Sequence, residues 1–573
     1  MLKNFFPVFE WAKSYNKGLF KGDLNAGITV GIMLIPQGMA YSMLAGLPPI
    51  YGLYASTIPL IIYAVMGTSR QLAVGPVAMV SLLIASGISQ ITTDPAEYLA
   101  IAISLALIVG ILQFSMGIFR LGFLVNFLSH PVISGFTSAA AIIIGLSQMK
   151  HLLGVSLPRT SFIHETLYEV FKSLPNINLP TFLLGSLSIT ALIVIRKYFK
   201  KIPGPIVVVA LTIMVTQFFG LNEIGIKILK DIPAGLPQFV LPGIDFSIIN
   251  QLMGIALPIA LIGYMESIAV AKAIQAKKKN YKLDSNKELT ALGAANIIGS
   301  FFQTFPTTGG FSRTAVNDQA GAQTGLASII SAVLILLTLM FLTPLFFYLP
   351  TAILAAVIMV AVFGLIDVKE AVQLWKSDKR DFILLITTFV LTLFFGVEAG
   401  ILIGVLLSLV MVIYRSAYPH MAVLGKIENT NLYRNINRFK NAHELNNFLI
   451  VRVDAPVFFA NSTNIRERID LELSQRKNIK YLIFSAEAVS ELDSSAIHML
   501  KDFIKDYNNS GIEVVFAGAN GPVRDIIHKS GLIDYLDKDH LFNFVDEAVT
   551  HYNKDSKTTE TLLEAAMQTD YSK

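Results

Sequence analysis

The chain has 573 residues, 53% of them hydrophobic and only 15% charged, with a mean hydropathy of +0.59. A globule of this size surrounded only by water does not carry so apolar a composition. The net charge of +5 comes without a Lys/Arg stripe interleaved with aromatics, which argues against nucleic acid as a partner. The absence of cysteine excludes disulfides, thiolate-bound zinc and thiol catalysis. Charge is also unevenly spread: from about residue 430 onward Lys, Arg, Asp and Glu reach ordinary soluble-protein levels, whereas long stretches before that have almost none. The pattern predicts a membrane part followed by a water-soluble part.

The opening MLKNFFPVFEWAKSYNKG has no short apolar core followed by a small-residue cleavage site, so no removable signal peptide is expected. A spanning helix needs roughly 20 apolar residues, and Leu99–Gly117, Thr181–Ile195, Ile206–Phe219, Leu326–Leu342 and Phe382–Val412 qualify. The last is long enough for two segments parted near Gly396 to Gly400. Shorter runs broken by Gly and Pro, notably Gln71–Gly87 and Thr307–Gly321, bring the expected total to about fourteen segments. Under that count Lys3, Lys13, Lys17, Lys21, Arg196–Lys201, Lys272–Lys287 and Lys376–Arg380 fall on one side, which predicts that this side and both termini are cytoplasmic. Lys150, Arg159, Lys172, Lys227 and Lys230 are the exceptions on the other side.

The C-terminal part alternates β and α. Phe448–Val453, Tyr481–Ser485 and Ile512–Ala517 read as strands, Ile465–Gln475 and Ser495–Tyr507 as helices. Further helices are expected from Val523 and from Leu541. No glycine-rich phosphate loop or catalytic constellation occurs there, and the residues from Asn553 are expected to be polar and flexible. Asp493 or Ser494 serves as N-cap of the second helix. Asp493-Ser494-Ser495 reads either as that cap or as a phosphorylation target.

Two weak membrane segments share a design. Gln71-Leu-Ala-Val-Gly75-Pro76-Val77-Ala78 starts strand-like and turns helical at the proline, and Gln303–Asn317 turns helical near Ser312. Each leaves a helix N-terminus inside the bilayer, and paired half-helices in corresponding places of two halves point to a transporter site. Such N-termini offer free N–H groups and about half a positive charge each, so two of them facing each other make an anion site. The plainer reading is that Gly-Pro and Gly-Gly bend packed helices. Arg313 stands in a first helical turn, where a cation opposes the macrodipole, and burying it in a membrane costs about 3 kcal/mol or more. It either serves the site or snorkels at an interface. Glu266, in Ala260–Ala269, is a second intramembrane charge. Burial favours its protonated form, so it either carries a proton or pairs with Arg313. Gln37 and Tyr41, four apart, share one face of the first helix, as ligand contacts or as helix-packing contacts.

These residues lie within a series of motifs: Pro36-Gln-Gly-Met-Ala-Tyr41, Gly46-Leu-Pro-Pro-Ile-Tyr-Gly-Leu-Tyr54, Gly75-Pro76-Val77-Ala78, Tyr264-Met-Glu-Ser-Ile-Ala269, Asn286–Gly293 and Gly309–Asn317. Together they resemble the sulfate permease (SulP) family of anion transporters along nearly the whole chain. The C-terminal part resembles a STAS domain, the fold of bacterial anti-sigma factor antagonists, although Ala496 stands where their phosphorylated turn usually has glycine.

The resemblance implies an α-helical polytopic membrane protein of about fourteen segments in two inverted repeats of about seven, with two half-helices meeting at the midplane. It also implies a homodimer and alternating access of a core domain against a gate domain. Gln37, Tyr41, Val77, Ala78, Phe311, Ser312 and Arg313 are then the substrate-binding residues, with Glu266 at the acidic position used by proton-coupled members. Sodium-coupled bicarbonate transporters of the family carry aspartate in a different local sequence. The expected divisions are an N-terminal segment (1–22), a transport domain (23–420), a linker (421–440), the STAS domain (441–552) and a tail (553–573). The expected protein is a cell-membrane, proton-coupled transporter of a small inorganic anion, sulfate first, without cofactor or metal. Bicarbonate or a fumarate-like dicarboxylate, an uncoupled exchanger or channel, and a membrane sensor signalling through the STAS domain are the alternatives. Ser494, Ser495 and a regulatory protein at the STAS domain belong to the same set of expectations.

Overall fold

The computed structural model describes residues 6–13, 15–123, 129–157, 163–199, 204–230, 233–243, 248–278, 281–536 and 540–553. Lys3, Arg159 and Lys201 of the charge pattern, and the expected tail after Asn553, lie outside the described residues. The chain divides into two compact units, Met1–Ser408 and Leu409–Lys573.

In the first unit the elements run α1 (Lys17–Leu44), α2 (Pro49–Tyr54), α3 (Ile58–Met66), β1 (Val74–Gly75), α4 (Ala78–Ile88), α5 (Pro95–Ile118), α6 (His130–Ser147), α7 (Leu179–Tyr198) and α8 (Gly204–Phe218). They continue as α9 (Ile249–Lys278), α10 (Ser285–Ser300), β2 (Thr308–Gly309), α11 (Phe311–Gln319), α12 (Leu326–Leu337), α13 (Thr351–Phe363), α14 (Val368–Ser377) and α15 (Lys379–Phe395), and α16 (Val397–Ala417) runs across the division at Ser408. Among the described residues, 8 helical stretches are long and apolar enough to cross a membrane. The rest of the expected set is made by shorter helices: α4, α8, α10, α11, α15 and α16. Hydropathy alone passes over α10, which carries Lys287 and Glu288, and α11, which carries Arg313 and Asp318. The long apolar run Phe382–Val412 breaks at Gly396, whose φ of +87° separates α15 from α16.

Packing repeats with an internal symmetry. Helix α1 packs on α12 as α9 packs on α5; α3 packs on α10 and on α12, while α10 packs on α5; α6 packs on α15 as α7 packs on α13. Contacts of the first half thus recur in the second with the roles exchanged, the pattern of two inverted repeats. Close approach rests on small residues. A Cβ on Gly293 of α10 would lie 2.4 Å from the Phe114 nitrogen of α5. Several membrane helices start on an Asn or Asp side chain that accepts from first-turn amides: Asn16 for α1, Asp94 for α5, Asn178 for α7, Asp284 for α10 and Asp378 for α15.

The second unit holds a sheet in the order β4 (Tyr433–Asn435), β3 (Met421–Ile427), β6 (Phe448–Val453), β7 (Tyr481–Ser485), β8 (Glu513–Ala517), β9 (Leu541–Phe542), with β5 (Ala442–His443) also on β3. Pairing is parallel from β6 to β9 and antiparallel at β3. Alternate strand residues face two cores. Leu449, Val451, Leu482 and Phe484 pack with α17 (Ser462–Ser474), α18 (Ser494–Asn509) and α19 (Gly521–Lys529). Ile450, Ile483 and Val515 pack with Val545, Val549 and Tyr552 of the helix at 545–553.

Two expectations need correction. The presumed linker 421–440 contains strands β3 and β4, because Met421–Leu424, directly after an apolar membrane helix, is itself buried in the sheet. The helix expected from Leu541 starts later: Leu541 and Phe542 pair with Phe516 and Ala517, and Glu547 accepts from the Asn543 amide as the chain turns helical.

Candidate functional site

Strands β1 and β2 cross as a two-stranded antiparallel pair, Val74 opposite Gly309 and Gly75 opposite Thr308, and the Gly310 amide donates to the Ala73 carbonyl at 3.2 Å. From this crossing the chain leaves as α4 in one half and α11 in the other. Unlike the helices capped by Asn or Asp, both begin bare. Val77 and Gly310, their cap residues, supply no side-chain hydrogen bond to first-turn amides. The positive ends of two helices are therefore presented at one place.

Three braces hold the crossing. Asn296 of α10 accepts from the Thr307 amide (2.8 Å) and hydroxyl (3.0 Å) while donating to the Thr307 carbonyl (3.0 Å) and to Gln113 (3.0 Å). Ser267 of α9 accepts from the Gly309 amide at 2.8 Å and bonds the Thr308 hydroxyl at 2.7 Å. Asn317 donates to the Gln71 carbonyl at 2.8 Å. The fourth link is Arg313, only 1% exposed, whose guanidinium donates to the carbonyl of Pro76 in one arm and, at 3.4 Å, to that of Thr308 in the other. Gly310 gives it room, since a Cβ there would lie 3.0 Å from Nη2 and 3.1 Å from Cζ.

A cavity of about 640 Å³ opens at the two N-termini. Gln37, Tyr41, Val77, Ala78, Glu266, Phe311, Ser312 and Arg313 all line it. Gln37 donates to the Tyr41 hydroxyl at 3.1 Å and keeps its own oxygen unpaired. Glu266 Oε2 and Arg313 Nε are likewise buried without a hydrogen-bond partner among the described residues. The arrangement offers an anion bare amides, an amide side chain, a phenol and a buried guanidinium, with one carboxyl able to hold or release a proton.

Sequence reasoning missed Arg196. The charge pattern makes it a topology-fixing loop charge, whereas it lines the cavity from α7 and donates to the Val360 carbonyl at 3.4 Å. It shares the last turn of an apolar helix with Lys197, so no local signal sets it apart. The second unit places Ser494 and Ser495 exposed at the start of α18, where Asp493 is the cap, accepting from the Ala496 amide at 2.8 Å and from the Phe459 amide at 2.9 Å.

Residues 20–388 match the family model described as the sulfate permease family, and residues 439–548 match the STAS domain. Sulfate transporter 4.1, chloroplastic, of Arabidopsis thaliana is 43% identical over 95% of this chain and 82% of its own length. High affinity sulfate transporter 2 of Stylosanthes hamata is 36% identical over 96% of this chain and 87% of its own. Among solved structures, the murine Solute Carrier 26 family member A9 anion transporter in the inward-facing state superimposes with a TM-score of 0.89 at 26% identity, covering 96% of this chain and 94% of that one. The transmembrane domain of a cyanobacterial bicarbonate transporter shares the fold, with a TM-score of 0.60 at 23% identity over 69% of this chain and 98% of that one.

Proposed function

As the chain belongs to the sulfate permease family and carries a C-terminal STAS domain, we propose that it is a secondary transporter of sulfate that carries a proton with each anion. The observation supporting this reading is the charge set around one cavity. Each bare helix N-terminus contributes about half a positive charge and Arg313 one more, about two in all, the charge of a sulfate dianion. Ionised Glu266 subtracts one; protonated, it restores the match. Loading sulfate and a proton together is then favoured over loading either alone. Backbone amides and one guanidinium recognise charge and size, so sulfate is preferred over a monoanion by charge and over a dicarboxylate by size.

The cavity extends from the half-helices to Arg196, Gly204 and Gly364, at helix ends on the Lys/Arg-rich side. On this reading the protein is in an inward-open state, with both termini in the cytoplasm. Gln37, Tyr41 and the first amides of α4 and α11 hold the anion, and Arg313 both attracts it and ties the two arms together. Alternating access moves the core of α1–α5 and α9–α12 against the gate of α6–α8 and α13–α16. A homodimer in the cell membrane, with the STAS domain as the docking point for a regulatory protein, completes the proposal. Exposed Ser494 and Ser495 are its candidate regulatory residues.

Radiolabelled sulfate uptake into proteoliposomes, with and without an inward proton gradient, tests this. Accumulation above equilibrium only under the gradient is the expected result. Indifference to the gradient would leave an uncoupled exchanger or channel, and no uptake of any small anion would leave the sensor.

A further inference from the structure

Helix α14 follows α13 after a break at residues 364–367 and precedes α15, and unlike the apolar α13 it carries Lys369, Glu370 and Lys376. Its sequence, Val368-Lys-Glu-Ala-Val-Gln-Leu-Trp-Lys-Ser377, sorts into three stripes at helical spacing. Val368, Val372 and Trp375 form one face and are 65%, 50% and 57% exposed against the rest of the protein. Lys369 and Lys376, seven apart, form a stripe beside it, and both are exposed. Lys379 extends the basic edge and lies 5.9 Å above the Trp375 ring. The third stripe faces the protein, where Glu370 pairs with His130 at 3.2 Å and the Asp367 amide donates to Ser138 at 3.3 Å.

An apolar face bordered by lysines, held at the end of membrane helices, has the form of an interfacial helix, apolar side in the acyl boundary and cations at headgroup level. We propose that α14 lies in the headgroup layer of the Lys/Arg-rich leaflet and preferentially recruits anionic lipids through Lys369, Lys376 and Lys379. Helix Ile163–Ser173 serves as an internal contrast. It also exposes an aromatic face, Tyr168 at 66% and Phe171 at 67%, but carries Glu165 and Glu169 with Lys172 as its one lysine. An exposed aromatic helix face therefore does not by itself bring a basic edge. Because Glu370 and Asp367 tie α14 to α6, a pull on the lipid-facing stripe reaches a gate helix directly.

The chain has two tryptophans, Trp11 and Trp375. Subtracting the emission of the Trp375→Phe protein from that of the wild type isolates Trp375 without disturbing buried Trp11. The purified full chain is reconstituted with phosphatidylcholine and phosphatidylglycerol, one or the other brominated. Brominated phosphatidylglycerol should quench Trp375 with an apparent affinity at least ~5-fold above that of brominated phosphatidylcholine, from about 1 kcal/mol per basic residue at an anionic surface. In the Lys369→Gln/Lys376→Gln/Lys379→Gln protein both lipids should quench equally. Sulfate binding of that variant, read in detergent, reports whether its fold is intact. If it is not, the wild-type ratio measured in 0.1 and 0.5 M salt replaces it and should fall with salt. Equal quenching by the two lipids in the wild type overturns the proposal. So does an absence of quenching by either, which would mean that something other than lipid covers the face.

Discussion

At the scale of single residues, the proposed function gives Arg313 and Glu266 different tasks. Arg313 reaches carbonyls in both arms, so its fork geometry matters as well as its charge. Arg313→Lys keeps the charge and loses the bridge. Sulfate affinity, by calorimetry or scintillation proximity, should fall ~10-fold or more, equivalent to about 1.4 kcal/mol. Near-native affinity in the lysine variant would reduce Arg313 to a point charge. Glu266 has a buried oxygen without a partner in the same cavity. Glu266→Gln should bind sulfate as well as or better than the wild type, lose its pH dependence of binding, and no longer accumulate sulfate under a proton gradient. Wild-type accumulation by that variant would remove Glu266 from the coupling step.

At the scale of elements, the starting geometry of the two half-helices is fixed by neighbours. Asn296 satisfies the amide, hydroxyl and carbonyl of Thr307 from another helix. Asn296→Ala strands buried polar groups, each costing about 1–3 kcal/mol, and should lower the thermal unfolding midpoint as well as transport. Gly310→Ala is different: its Cβ would meet the Arg313 guanidinium at 3.0 Å. That variant should lose sulfate affinity comparably to Arg313→Lys while its unfolding midpoint shifts less than that of Asn296→Ala. Both motifs were legible in sequence as broken helices carrying Gly-Pro and Gly-Gly. The braces were not, since nothing in the local sequence of Asn296, Gln113 or Ser267 marks what each faces across the fold.

At the scale of the whole molecule, each unit has its own source of stability. In the second unit Arg476 joins Glu444 at 2.7 and 2.9 Å and Glu472 at 2.6 Å. Hydrogen bonding from Arg476 holds the Glu444 carboxyl below its ordinary value. A depressed carboxylate stabilises the fold at pH above its unfolded value, about 4.3, and this contribution is lost as pH falls through the folded value. Acid unfolding followed by the sheet's circular dichroism should therefore be less steep in Glu444→Gln, by less than ~1 kcal/mol because the pair is partly exposed. An unchanged acid limb would show that the pair contributes nothing there.

Composition and periodicity by themselves determined that the chain has a membrane part and a soluble α/β part, which segments are broken, and which two intramembrane charges stand out. These are local properties, set by hydrophobic transfer, by proline and glycine backbone limits, and by the cost of a charge in hydrocarbon. Tertiary structure decided which of those features meet. Gln37 of α1 is more than two hundred residues from Glu266 of α9 and Arg313 of α11, and the exchange of packing partners between the two halves brings all three to one cavity. The same holds for Arg196, a loop charge in sequence and a cavity charge in the fold, and for β3, an apolar run whose burial depends on the strand beside it. The physical reason is shared: hydropathy reports whether a side chain leaves water, while the partner it meets depends on contacts across the fold.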